Sequence, residues 1–203
     1  NGDLVQQLTL PKGPTISVPT NSTGNPCLTP PAGLCTEYAD FQDTVNLPPL
    51  LGGYTLTHQV CCRNSSIVNV ANSGTYGNTY TIQIPSLDTL CNSSPQFQST
   101  APIVLCVNDP LNVQLDATDP DGDSLFFEFC DILEGGGQGG AGCNAIVPNP
   151  PCPPPYNSIP LVAPSTAQNP LPSSAAPIAI NTANGTLSGT PDATGQYVVG
   201  VCV

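Results

Sequence analysis

Four carboxylates fall within eight residues at Asp116, Asp119, Asp121 and Asp123, around a Pro120 and a Gly122 that force a tight turn. Hard oxygen ligands crowded this closely repel one another unless a cation sits among them, and Ca²⁺ accepts six to eight oxygens in flexible geometry. The spacing therefore names calcium as the candidate cofactor, with these four residues as ligands. It is not an EF-hand, because no Glu stands at the twelfth position and no helical pattern flanks it. The competing reading is an Asx turn, in which Asp side chains accept backbone amide hydrogens between two strands.

No catalytic set accompanies this turn. His58 is the only histidine, and it lies in a strand pattern beside Cys61 and Cys62, which read as oxidised and not as nucleophiles. Carboxylates for glycoside hydrolysis could be drawn from Asp119, Asp121, Asp123, Glu128 or Glu134, but the acids cluster on one turn and the chain has no Trp to form a sugar platform. The expectation is no enzyme. Lys12 and Arg63 are the only cations, and Arg63 is expected to anchor a carboxylate. Asn-x-Ser/Thr triplets at Asn21, Asn64, Asn92 and Asn184 are weak signals in a chain this rich in Asn, Ser and Thr.

Ten cysteines with one histidine suit disulfides better than zinc or redox chemistry, and so point to an oxidising, extracellular compartment. The adjacent Cys61 and Cys62, placed on an extended strand, would face opposite ways and take separate partners. A formal charge of −12 repels phosphate backbones and anionic lipid, which argues against nucleic-acid or basic-patch membrane partners. No apolar run reaches the roughly 18 to 20 residues that span a bilayer.

The elements that must carry these residues are short strands. With 25 Pro and 19 Gly the chain resists long helices, while its apolar residues fall in short alternating runs. Strands are expected at 4–10, 37–47, 54–62, 79–85, 103–107, 111–115, 124–130, 178–180 and 197–203. The first and last of these read as strands awaiting a partner from a larger polypeptide or from a neighbouring copy. The polar cluster from Cys91 to Pro95 marks a seam, giving one module over 1–90 and a second over 91–203, with a Gly-rich then Pro-rich insertion at 134–177. Cys143 and Cys152 are placed to staple that insertion locally.

Cys61-Cys62-Arg63-Asn64, preceded by Leu47-Pro48-Pro49 and Gly53-Tyr54, resembles a recurrent stretch in large Bacteroidetes surface proteins exported by type IX secretion, some with gliding-motility-associated C-terminal domains. Cys91-Asn92-Ser93-Ser94-Pro95, the acidic run from Ala117 to Leu125, and Gly185-Thr186-Leu187-Ser188-Gly189-Thr190-Pro191 resemble Ig-like or cadherin-like modules of the same proteins. The resemblance implies an all-β fold of tandem Ig-like/cadherin-like β-sandwich modules, disulfide-braced and with little helix. It also implies a Cys106–Cys202 bridge between sheets, as in an Ig-type core. Cys91 would then be left for Cys130, while Cys27 and Cys35 pair together or each take one of Cys61 and Cys62. O-glycans on Asp-Ser/Thr-apolar triplets, also implied by the resemblance, would fall on Thr44, Thr89 and Ser124.

The function expected is a secreted structural and adhesive segment of a large cell-surface protein. Its partners would be neighbouring modules, copies of itself, or surface and glycan ligands, with no direct membrane insertion. The alternatives are a surface-filament subunit assembled by strand exchange and, below it, an accessory domain of a polysaccharide-active enzyme.

Overall fold

The computed structural model describes residues 4–18, 36–86, 92–98, 103–172 and 176–203. Among them the fold is almost all β, with one turn of 3-10 helix at Ser73–Thr75. The strands are β1 (Ile16–Val18), β2 (Thr36–Tyr38), β3 (Tyr54–Val60), β4 (Asn78–Ile84), β5 (Gln96–Phe97), β6 (Leu111–Gln114), β7 (Ala117–Thr118), β8 (Glu128–Phe129), β9 (Ala176–Ile180), β10 (Thr186–Thr190) and β11 (Val201–Cys202). They pair as β1–β2, β3–β4, β5–β7 and β8–β11 ribbons and one three-stranded sheet in the order β6-β10-β9, all antiparallel. The all-β expectation is met in sheets that are small, which do not by themselves establish the tandem Ig-like sandwich modules.

Two apolar clusters hold this framework. Leu111, Ile178 and Leu187 are buried in the three-stranded sheet, with Leu105, Val113, Leu115, Phe129, Leu171 and Ile180 packed around them. Here alternation works as expected, since residues two apart on a strand share a face. The second cluster is Val70, Ile132 and Ile159, packed with Ile67, Tyr76, Leu161 and Val198. Its members come from both sides of the seam expected before Cys91. Asn69 ties the same region together: its amide nitrogen donates to Val198 O (2.8 Å) and Pro170 O (3.2 Å), and its Oδ1 accepts from Val198 N (3.0 Å).

The described part of the stretch expected to be an insertion, 134–177, is tied back to the rest of the chain by hydrogen bonds. It lies along the β3–β4 ribbon, whose seven residue pairs run from Tyr54↔Ile84 to Val60↔Asn78. The ribbon's polar face meets it. Gln59 Nε2 donates to Cys152 O (3.2 Å) and Gln59 Oε1 accepts from Cys152 N (2.7 Å). Thr79 donates from Oγ1 to Glu134 O (2.6 Å) and from its amide to Leu133 O (3.2 Å), and Thr57 Oγ1 shares a hydrogen bond with the Tyr156 hydroxyl (2.7 Å). An irregular Gly/Pro-rich segment forms no ladder of its own, so its backbone groups need partners elsewhere, and Thr and Gln side chains supply them. Glycine is required where the two backbones meet: a Cβ on Gly77 would overlap the Gly135 carbonyl, and one on Gly135 would overlap Thr79 Oγ1.

Several expected strands are shorter or absent. Leu4–Leu10 forms no strand, 37–47 is a strand only at its start, and 103–107 is not one. Conversely β10, the central strand of the largest sheet, lies in the Gly-Thr-Leu-Ser-Gly-Thr-Pro motif that carried no strand expectation.

Candidate functional site

The cysteine pairing differs from expectation in two places. Cys130 and Cys202 are bridged, with Cα atoms 5.9 Å apart, so Cys202 does not pair with Cys106 nor Cys130 with Cys91. The reason lies in the register: Val201↔Phe129 and Cys202↔Glu128 place the ends of β8 and β11 side by side, which brings Cys130 to Cys202. Cys61 and Cys62 are joined to each other, against the expectation of separate partners. Strand alternation does not extend to them, because β3 ends at Val60. Cys143 bridges Cys152, closing the local staple over the Gly/Pro-rich segment. Cys27, Cys35 and Cys91 lie outside the described residues, and Cys106 is half-buried and in contact with a partner.

The acidic turn is closed by its own backbone. Asp119 Oδ1 accepts from Asp121 N (2.8 Å) and Asp123 N (3.2 Å), and Gly122 N donates to Asp119 O (3.2 Å). Gly122 has φ +81°, a conformation that favours glycine at this bend. Asp121 Oδ2 accepts from the amide of Ser93, which fastens the turn to the polar stretch ahead of β5. Asp116 and Asp123 are exposed and Asp119 half-buried, and Asp116 O accepts from Gln98 N (2.8 Å). This is Asx-turn geometry, with carboxylate oxygens committed to amide hydrogens; no three Asp, Glu, His or Cys side chains gather as a metal-binding group among the described residues.

Arg63 lines an open cleft of about 620 Å³ with Ser65, Ile67, Val70, Asn72, Ser73, Gly74, Thr75 and Gln138. Its Nη2 donates to Leu133 O (3.0 Å), a carbonyl in place of the carboxylate expected from sequence, and its buried Nε has no hydrogen-bond partner. Burial pushes the guanidinium pKa down, with Tyr80 acting weakly in the opposite direction. Gln138 spans the cleft, donating to Gly74 O (3.0 Å). Backbone and side-chain hydrogen bonds thus use Arg63 as a tie between 63–76 and 133–138.

The outer face of the β3–β4 ribbon was not singled out by sequence. Leu56 is paired with Ile82 and His58 with Tyr80, the two rings being stacked with centroids 6.4 Å apart. Leu56, Tyr80 and Ile82 are 50, 64 and 38% exposed, although they occupy the apolar positions of both strands. The alternation that could have flagged this face was visible, but not the fact that the ribbon's buried residues, Gln59 and Thr79, lie on its polar face. The glycosylation candidates Thr44 and Ser124 are exposed, with Thr44 N donating to Asp43 Oδ1 (2.8 Å), and Thr89 lies outside the described residues.

No helix among the described residues is long and apolar enough to cross a membrane, and the disulfides fit a non-cytoplasmic protein. No protein-family model, no curated protein and no solved structure matches the chain.

Proposed function

We propose that the chain is an extracellular structural and adhesive segment of a large cell-surface protein, exported by type IX secretion in keeping with the resemblance of its Cys-Cys-Arg-Asn and Gly-Thr-Leu-Ser-Gly-Thr-Pro stretches. The observation that carries this reading is the bracing: small sheets that bury little apolar surface are tied by disulfides, one of them between cysteines 72 residues apart. Such bridges stabilise mainly by restricting the unfolded chain, on the order of 2 to 4 kcal/mol each, and persist only where the surroundings are oxidising. Thiol alkylation of protein taken directly from cells, followed by mass spectrometry, tests it. Cys61, Cys62, Cys130, Cys143, Cys152 and Cys202 should be protected until a reductant is added, and alkylation of these six in the native protein would sink the extracellular reading.

A second reading, a subunit of a surface filament, is favoured by the uncovered apolar face of the β3–β4 ribbon. Calcium at Asp116, Asp119, Asp121 and Asp123 is a separate proposal that the hydrogen-bonded turn does not require. Asp119→Ala should lower stability by about 1 kcal/mol through loss of the amide acceptor. With calcium in the turn, chelator should lower the melting temperature of the unmodified chain by several degrees, and a melting temperature indifferent to chelation would leave the turn to its amide hydrogen bonds alone.

A further inference from the structure

We propose that the open cleft at Arg63 binds a carboxylate-bearing sugar, a uronic acid residue of a glycan, with the guanidinium taking the carboxylate. The proposal gives the adhesive reading above a ligand class and rests on that reading for its choice of a glycan. Its starting point is a cation without an anion. In a chain with 14 acids and two cations, no carboxylate among the described residues pairs with Arg63. Its side chain makes one hydrogen bond there, from Nη2 to Leu133 O (3.0 Å), and its buried Nε has no acceptor. A half-buried charge is normally paired, because part of its hydration has been given up, and an anion from outside would restore what the fold leaves out. The depressed pKa of the guanidinium has the same origin, burial uncompensated by an acid.

The rest of the lining selects the kind of anion. The cleft's volume of about 620 Å³ suits a small ligand of one or two sugar rings. No acid lines it. Ser65 and the Asn72 side chain line it without a hydrogen bond of their own among the described residues, and Gln138 commits Nε2 to Gly74 O, which leaves Oε1 open. These groups both donate and accept, as a ring of hydroxyls requires. Ile67, half-buried on the same wall, offers an apolar surface to the C–H face of a ring. A single guanidinium matches a single planar carboxylate, whereas a dianionic phosphate would approach a chain of net charge −12 with only one cation to receive it. The Ser73 and Thr75 hydroxyls are already bonded to backbone carbonyls and hold the wall in shape.

Amide chemical-shift titration of the full, disulfide-bonded chain tests this with four probes at matched ionic strength: D-glucuronate, D-glucose, acetate and inorganic phosphate. Glucuronate should saturate in the millimolar range and shift resonances of residues 63–76 and Gln138, while each of the other three binds at least about tenfold more weakly. Arg63→Gln should abolish binding, but it also removes the tie to Leu133 O. Asn72→Asp is therefore the second variant: it leaves that tie in place, keeps a residue type that tolerates the left-handed backbone at φ 52°, and sets an anion at the rim. It should weaken glucuronate about tenfold, since the new carboxylate repels the ligand and competes for the guanidinium. Unchanged circular dichroism shows that each variant is folded. No saturable shift with glucuronate, glucose, acetate or phosphate binding as tightly, shifts confined to other residues, or an Asn72→Asp variant that binds as before would each overturn the proposal. Cysteine protection in protein from cells is read without any ligand, so the cleft can fail while the extracellular reading holds, and the reverse.

Discussion

The three-stranded β6-β10-β9 sheet and the two-stranded β3–β4 ribbon follow the same rule of alternation and reach opposite arrangements. In the sheet, Leu111, Leu187 and Ile178 point into a shared cluster while Asn112 and Ser188 face out. In the ribbon, Gln59 and Thr79 are buried while Leu56, Tyr80 and Ile82 face out. The difference is the surface each one packs against. The sheet meets other apolar side chains, whereas the ribbon meets a Gly/Pro-rich backbone whose polar groups need hydrogen bonds.

Substitutions on the two faces break or sharpen that contrast. Ile178→Ala should be the most costly, at about 3 kcal/mol, because it opens a cavity in the cluster beneath the sheet. Gln59→Leu, a change from polar to apolar at a strand position, should cost about 2 kcal/mol, since it leaves the amide and carbonyl of Cys152 without partners. Ile82→Ser, made in dilute monomer, should change stability by less than about 0.5 kcal/mol, as expected of an exposed side chain. Urea unfolding of the three variants checks the order. If Gln59→Leu stabilised the chain while Ile82→Ser destabilised it strongly, the ribbon would be oriented like the sheet and the contrast would disappear.

The positions of β3, β4, β6 and β9 were legible because each is a run of alternating residues with β-branched or aromatic character. Which face they bury was not, since alternation specifies two faces and leaves the choice to the partner surface. β10 was hidden by Gly185 and Gly189 and by its short apolar content, though it pairs with both neighbours in the sheet. The Cys143–Cys152 bridge was readable from closeness in sequence. Cys130–Cys202 was not, because it follows from the β8–β11 register, a tertiary fact. The acidic turn was located correctly as a turn, and its amide hydrogen bonds match one of the two readings that the spacing allowed.

The bridge between Cys130 and Cys202 also bears on how the chain would respond to force. A segment pulled from both ends can lengthen only along covalent paths that are free to straighten. The 72-residue separation enclosed by this bridge is withheld from that path, some 240 Å of contour at about 3.3 Å per residue. In an oxidising medium β9 and β10, which lie inside the loop, would therefore keep their length under load, whereas β6 and the β3–β4 ribbon lie outside it and stay extensible. Reduction would release the withheld length, turning a stiff link into a slack one.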